Sequence, residues 1–459
     1  MDIQNKKTNV NTRELITDML MEIDAGKEYS HILLRGVLEK YNYLEEFDKA
    51  FMKRVLNGTL ERRMQIDYVL NQVSSVPVRK MKPFIRSLMR MSVYQILFMD
   101  KIPDSAACNE AVKLASKRKF SNLKGFINGV LRSVARSKDV ISYPDEKQNP
   151  VEAWSVRYSM PEFIVKLLLD EYGSQMTKTI LEGLMDEHGL CVRVREDISE
   201  EQKKAVYNEW DENKIIYTAH PFLPYAFILQ NTEQLASKKE FQNGMYTVQD
   251  ISSMLVAEIA GIKQNDTIID VCAAPGGKSL HACTKLAGSG HVDARDVSEY
   301  KTAFIEENRK RMKAENISVT VWDGTVLDED AVESADVVFA DVPCSGIGVI
   351  SKKPDIKYNI TPESLESLLH LQKEIMDTVW QYVKPGGTLL YSTCTIHREE
   401  NEEMVNYLTE QYPFQLESID AYLPKALHSE TTKQGYIQIF PGKNSDGFFM
   451  ARLKRIEKE

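Results

Sequence analysis

The chain has 459 residues, of which 43% are hydrophobic and 27% charged, and its net charge is −9. That size leaves room for two to four domains, and that balance excludes disordered and fibrous classes. No apolar run approaches the ~18–20 residues that cross a bilayer, and the opening MDIQNKKTNVNTREL has no apolar stretch of signal-peptide type, so a cytoplasmic chain without a membrane partner is expected. From residue 12 to 137 the pattern is helical: Leu15, Met19, Leu20 and Ile23 recur at helical spacing, as do Ile85, Leu88, Met89, Val93 and Leu97. Pro77, Pro83 and Pro103 punctuate this run, and no strand alternation interrupts it.

Charge is unevenly spread. Residues 1–140 hold 25 basic and 16 acidic side chains, against 33 and 51 in the remainder, and residues 77–138 alone hold 14 basic and 3 acidic ones. A basic module on an acidic body is a footprint of polyanion binding, although a solvated helical surface reads equally well from charge alone. Ala106–Ala115 (AACNEAVKLA) and Gly125–Val134 (GFINGVLRSV) resemble the signature helices of NusB, an all-α RNA-binding antitermination factor, over roughly residues 10–138. The resemblance implies that this bundle binds RNA or a ribosomal partner.

Ser142–Pro150 (SYPDEKQNP) is polar with two prolines and reads as a linker. Residues 151–240 mix helix with β-like pieces, such as the alternating Leu190–Val194 and the aromatic-rich Pro221–Leu229. Beyond about 245, short apolar runs at Thr267–Val271, Val319–Trp322, Val337–Ala340 and Thr388–Tyr391 alternate with helical stretches at Glu299–Glu315 and Glu363–Val383. That alternation predicts a doubly wound parallel sheet with helices on both faces. Three domains are therefore expected: an all-α bundle over 1–140, a linker and small α+β domain over 141–240, and a Rossmann-like α/β domain over 241–459.

The turn Asp270-Val-Cys-Ala-Ala-Pro-Gly-Gly-Lys278 follows a strand and opens a helix. Gly276 and Gly277 let backbone approach a ligand, with amides aimed at it from the helix start. A phosphate-binding loop would need its first glycine where Cys272 stands, and no GxGxxG dinucleotide fingerprint is present. S-adenosylmethionine remains, because its methyltransferases use a glycine-rich turn after the first strand and an acidic residue after the second. Asp296, ending GHVDARD, is placed for ribose hydroxyls, and Asp323, after the third strand, for the adenine amino group. Singly, an Asp at a strand end is as often a turn or helix cap; several at one sheet edge point to a ligand crevice.

Two further segments end strands: Asp341-Val-Pro-Cys344-Ser-Gly-Ile-Gly348 and Tyr391-Ser-Thr-Cys394-Thr-Ile-His-Arg-Glu-Glu-Asn401. A single cysteine is usually a small buried hydrophobe, but two at adjacent strand ends beside a cofactor turn suggest chemistry. The six cysteines (108, 191, 272, 283, 344 and 394) are too scattered for a disulfide framework or a metal site, so no metal is expected.

CAAPGGK, PCSG, STC…EEN and the final Asp446-Gly-Phe-Phe449 together resemble the Nop2/Sun (RsmB/Sun/Fmu) family of RNA cytosine-C5 methyltransferases, from Gln249 to the end. With the NusB-like front end, the similarity is to the branch acting on small-subunit (16S) ribosomal RNA. The resemblance implies S-adenosylmethionine as cofactor, ribosomal RNA as partner, Cys394 as nucleophile and Cys344 as the group that helps release product. It assigns Cys272, Ala273, Ala274, Pro275, Gly276, Gly277, Lys278, Asp296, Asp323 and Asp341 to the cofactor site, with Asp341 also facing the base. Lys278 is expected to contact base or RNA, or else to be a solvated lysine at a helix start. The chain departs from the pattern at Val342, at Ser351-Lys352-Lys353 and at Arg195, positions that touch RNA contacts rather than the chemistry. The same reaction on transfer RNA, and a non-catalytic RNA-binding assembly factor, are the alternatives; a monomer is expected.

The chemistry explains the need for cysteine. Carbon 5 of cytosine is a poor nucleophile, and a thiolate adding at carbon 6 turns it into an enamine that accepts a methyl group. A free thiol has a pKa near ~8.5, so a site of this kind favours the thiolate. The base must also leave its stack, which costs least in a loop.

Overall fold

The structure is a computed structural model and describes residues 10–186, 189–232 and 234–457; the outermost ends of the expected first and last domains lie outside these. The chain divides into two compact units. One comprises Met1–Glu182 with Ile350–Asn359, the other Gly183–Val349 with Ile360–Glu459.

The first unit begins with seven helices: α1 (Thr12–Asp24), α2 (Ser30–Lys40), α3 (Glu46–Glu61), α4 (Arg63–Val73), α5 (Pro83–Phe98), α6 (Asp104–Lys117) and α7 (Lys124–Ser137). α8 (Pro150–Arg157) and α9 (Glu162–Gly183), the latter broken at Gly173 with φ +71°, complete the set. The predicted apolar stripes face inward: Ile16, Met19, Leu20 and Ile23 of α1 and Ile85, Leu88, Met89 and Val93 of α5 are buried in one core. Removal of such side chains from water is the main stabilising contribution to the bundle. α3 and α5 approach so closely at Gly58 that an added Cβ would lie 2.0 Å from the Tyr94 ring. An ion-pair network also links the helices, with Asp24 meeting Arg63, Arg86 and Arg90, and Arg90 reaching Asp67 at 2.6 Å.

The second unit contains two sheets. The smaller is antiparallel in the order β2-β3-β1-β4, from β1 (Leu190–Val194), β2 (Ile216–Ala219), β3 (Ala226–Gln230) and β4 (Tyr246–Val248). Helices α10 (Glu200–Glu212) and α11 (Lys239–Gln242) accompany it, and the buried Trp210 ring of α10 meets Phe227 and Tyr246 edge-on. Next come α12 (Ile251–Ile259), β5 (Thr267–Asp270), α13 (Gly277–Lys285), β6 (His291–Asp296), α14 (Glu299–Met312), β7 (Ile317–Val321) and β8 (Ala335–Asp341). The chain ends through α15 (Pro362–Val379), β9 (Val383–Thr393), α16 (Glu402–Gln411), β10 (Phe414–Leu416), α17 (Glu430–Gln434), β11 (Tyr436–Ile439) and β12 (Phe448–Arg455).

Strands β7, β6, β5, β8 and β9 are mutually parallel, in that spatial order. The expectation of an all-parallel sheet is corrected beyond β9: β12 runs antiparallel to it, and β10 and β11 both pair antiparallel with β12. β12 reads FFMARLKR and is almost wholly buried, so it lacks the apolar–polar alternation that marks a half-exposed strand.

Candidate active site

All the functional candidates of the second unit lie at the carboxyl ends of β5, β6, β7, β8 and β9, the edge at which doubly wound sheets bind ligands. β5 ends in Asp270, which is fully buried and accepts a hydrogen bond of 2.5 Å from Ser279 Oγ at the start of α13. Burial pushes its carboxyl up to about 7, against the opposing effect of that bond and of Lys278. The turn Cys272–Lys278 then enters α13 with Gly276 at φ +99°, a left-handed conformation that glycine adopts freely. A Cβ on Gly276 would lie 3.1 Å from Ile305 Cγ2 of α14. Burial also raises the Cys272 thiol well above its ordinary value, so it stays protonated.

Asp296 ends β6 and is 4% exposed. One of its oxygens accepts the Ala274 amide at 3.2 Å, and the other lies 3.4 Å from Lys301 Nζ. Asp296 therefore touches the glycine turn directly. Asp323 differs: its Oδ1 accepts from both the amide and the hydroxyl of Thr325, at 2.9 and 2.8 Å, so it also caps the turn after β7. Val297, Tyr300 and Val321 expose apolar surface beside these carboxylates. A glycine turn at a helix start, a buried carboxylate and an exposed apolar shelf fit an adenosyl group, which carries a flat base and two hydroxyls.

Asp341 ends β8. Its Oδ1 accepts from Ser392 Oγ at 2.8 Å and its Oδ2 from Lys278 Nζ at 2.5 Å. Lys278 is accordingly no solvated lysine, since its side chain is only 13% exposed. Burial opposes its charge, but Asp341 outweighs that effect and raises its pKa. Its ammonium also lies 5.5 Å from the Phe448 ring centre.

Cys344 and Cys394 meet with their sulfurs 3.2 Å apart. The Cys344 thiol is held well above its ordinary pKa, first by its contact with Cys394, then by burial and by the nearby Glu400 and Asp341. It therefore starts as a neutral thiol. Gly348 donates its amide to the Cys394 carbonyl at 3.1 Å, and Gly447 donates to the Gly348 carbonyl at 2.8 Å. A Cβ on Gly348 would lie 2.2 Å from the Gly447 oxygen. The PCSG, STC and DGFF segments thus form one compact edge, and DGFF supports it through backbone.

Several residues to which the motifs assign no role also belong here. Ser345, Gln372, Thr395, Glu400 and Asn401 are all buried around the two thiols. Glu400 and Asn401 fall within the EEN signature, so a signal was present; Gln372, in the middle of α15, offered none.

Two other clusters bear on function. Glu196, Glu258 and His281 bring ligand atoms within 4.8 Å of one another. Lys285 Nζ already bridges the two carboxylates, at 2.7 and 2.5 Å, so an ammonium supplies the positive charge there. In the first unit, Arg90 is buried, and Lys117 and Arg118 pair with Glu14, so part of the basic excess is internal. Arg79, Lys80, Lys82, Lys119, Lys124, Arg132 and Arg136 are exposed. No helix among the described residues is long and apolar enough to cross a membrane.

Comparison with known proteins gives matches in both units. Residues 258–454 match the family described as 16S rRNA methyltransferase RsmB/F, and residues 10–136 match the NusB family. The chain is 34% identical to a probable ribosomal RNA small subunit methyltransferase B of Bacillus subtilis, covering 98% of this chain and 99% of that one. It is 31% identical to ribosomal RNA small subunit methyltransferase B of Proteus mirabilis, covering 87% and 91%. Among solved structures, PH0851 superposes with a TM-score of 0.80 at 23% identity, covering 99% of this chain and 100% of that one. NSun6 from Pyrococcus horikoshii with SFG superposes with a TM-score of 0.58 at 21% identity, covering 65% and 99%. These two likenesses concern the fold.

Proposed function

Because this chain belongs to the 16S rRNA methyltransferase RsmB/F family, we propose that it methylates carbon 5 of a cytosine in small-subunit ribosomal RNA through a covalent adduct of Cys394. The observation that carries this reading is the approach of two thiols, 3.2 Å apart, at the ends of adjacent parallel strands beside the Asp341–Lys278 pair.

S-adenosylmethionine, when bound, supplies the electrophilic methyl group. Cys272–Lys278, Asp296 and Asp323 would hold it, with Asp296 placed for the ribose. The Cys394 thiolate adds to carbon 6 of the flipped base, and the ring electrons become available at carbon 5. Asp341, braced by Lys278 and Ser392, faces the N3 and exocyclic-amine edge of the base and accepts a hydrogen bond from the amine while the ring electrons shift. Once carbon 5 bears the methyl group, it must lose its proton before Cys394 can leave. Cys344, protonated at rest and adjacent to Cys394, serves both needs in one concerted step: its sulfur accepts the carbon-5 proton as its own proton moves to the departing Cys394 sulfur, and the C5–H electron pair closes the C5=C6 double bond as the C6–S bond breaks. The two cysteines therefore serve opposite half-reactions.

The test is a pair of variants assayed on 16S rRNA. Cys394→Ala should abolish methyl transfer and leave no covalent complex. Cys344→Ala should attack and methylate, then stall as a protein–RNA species that survives denaturing electrophoresis. If Cys394→Ala were the variant that trapped RNA, the roles would be exchanged; if both variants kept full turnover, the covalent reading would fall.

The same reading takes residues 1–140 as the RNA-binding module, 141–240 as the connecting part and 241–459 as the catalytic part. It makes the enzyme a cytoplasmic monomer without a metal requirement. The exposed lysines and arginines between 79 and 136 support the first assignment. Transfer RNA is the less favoured substrate, because the relatives that match nearly end to end carry small-subunit names.

A further inference from the structure

The reaction just described needs two sulfurs held at a defined separation, yet each sits on a separate loop after a separate strand. Beneath them lie two consecutive residues, Glu400 and Asn401, both fully buried. Glu400 Oε2 accepts from the Ser345 amide at 2.8 Å and from Gln372 Nε2 at 2.9 Å. Gln372 Nε2 also donates to the Pro343 carbonyl at 2.9 Å. The residues on either side of Cys344 are thus tied to Glu400. Asn401 does the same for the other cysteine: its Oδ1 accepts from Thr393 Oγ1 at 2.6 Å and its Nδ2 donates to the Thr395 carbonyl at 3.2 Å. The hydroxyls of Ser345 and Thr395 meet at 2.7 Å and join the two grips.

Resting on the covalent reading above, we propose that Glu400 and Asn401 are positioning residues that form a two-sided clamp, Glu400 holding the Cys344 loop and Asn401 the Cys394 loop, so that their adjacency in the chain sets the separation of the two thiols. A buried carboxylate is costly unless hydrogen-bonded. Glu400 meets that condition through Oε2, whose donors lead to the Cys344 loop, while Oε1 faces His397 Nδ1 at 3.3 Å; its backbone carbonyl accepts Tyr391 OH at 2.6 Å from the strand that precedes Cys394. The clamp is local to the sulfurs and leaves the cofactor turn on β5 untouched. Its loss therefore acts on the two half-reactions, and differently on each. Without Glu400 the Cys344 loop drifts and release fails; without Asn401 the Cys394 loop drifts and attack fails.

The experiment uses the full chain and transcribed 16S rRNA, with wild type and Cys344→Ala alongside. Glu400→Ala should lower turnover on the order of 10²-fold, as misplaced reacting groups do, and should accumulate the denaturant-resistant complex. Glu400→Gln, which keeps an acceptor oxygen, should restore most of the turnover. Asn401→Ala should lose turnover without accumulating complex. Cofactor affinity by calorimetry should stay within about two-fold of wild type throughout, given the distance-sensitive nature of the defect. Gln372→Ala, which removes only the Pro343 arm, should shift release in the same direction as Glu400→Ala and to a smaller extent, and it stands in should Glu400→Ala not fold. Dibromobimane, which fluoresces on bridging a close thiol pair, reads the separation without catalysis: its signal should fall in both alanine variants and return in Glu400→Gln. Unchanged bridging, or parallel loss of both half-reactions with no recovery in Glu400→Gln, overturns the clamp. If Cys344→Ala traps no RNA while bridging still depends on Glu400, the covalent reading fails and the clamp stands as geometry.

Discussion

At the scale of single residues, the two carboxylates proposed for the cofactor, Asp296 and Asp323, differ in their surroundings. Asp296 is buried against the glycine turn, whereas Asp323 already serves a turn of its own. Asp296→Ala should therefore weaken S-adenosylmethionine binding at least ten-fold, the ~1.4 kcal/mol of one ribose hydrogen bond or more. Calorimetry giving equal affinities would remove the ribose role. Asp270 makes a pH-dependent prediction. Its folded carboxyl titrates at about 7 because it is buried, whereas an unfolded Asp titrates near ~3.9. Between those values the folded state holds more protons than the unfolded one, so this group's contribution to stability falls as pH rises from ~4 to about 7. Asp270→Asn should flatten that fall and melt higher than wild type above pH 7, as thermal melts across the range would reveal. The contacts of Lys278 and Glu400 were only half legible in the sequence, because a motif marks a position without saying what its side chain will meet.

At the scale of elements, the segment Ile350–Asn359 is the most informative. It follows the Cys344 loop in sequence, and its Ser351-Lys352-Lys353 departs from the family pattern, yet it belongs to the helical unit. Asp355 accepts from the amide and hydroxyl of Ser30, at 2.8 and 2.5 Å, and so caps α2, whose own N-cap Tyr29 offers no side-chain bond. Lys357 donates to the Glu61 carbonyl at the end of α3 at 2.8 Å, and Tyr358 OH donates to the Leu60 carbonyl at 2.7 Å. A carboxylate at a helix start and an ammonium at a helix end both complement the helix dipole. The site is dry enough that burial brings the Lys357 ammonium down to about 7. Asp355→Ala should cost ~1–2 kcal/mol, the usual effect of losing a cap, measured by denaturant unfolding. A change within ~0.3 kcal/mol, as at an ordinary surface site, would mean that α2 is held by its packing alone. Nothing in SKKPDIKYN marks it as a helix cap, because its partners lie some 300 positions away.

At the scale of the whole molecule, the net charge of −9 conceals a front end that carries the opposite sign. Folding then divides the basic residues. Arg86 and Arg90 are drawn into the Asp24 and Asp67 network, while Lys119 in the turn joining α6 to α7, Lys124 at the start of α7 and Arg132 within α7 stay exposed. Only the exposed group can meet phosphates. Replacing those three by glutamate should weaken RNA binding and reduce the slope of log affinity against log salt by about one for each phosphate no longer neutralised. Cofactor affinity should be unchanged, and an unaltered slope would mark this face as merely solvated.

Periodicity and turn chemistry are local properties, and whatever depends on them was determined by the sequence alone. The all-α character of the front end, the strand–helix alternation beyond residue 245 and the placing of each motif at a strand end all follow from spacing within short windows. Tertiary structure decided what depends on partners distant in the chain. The antiparallel placement of β12 beside β9, the capping of α2 by Asp355, the pairing of Lys278 with Asp341 and the meeting of Cys344 with Cys394 each join residues 50 to 325 positions apart. No local preference encodes such pairings; they form because burial and hydrogen-bond satisfaction across the assembled core leave these groups no better partners.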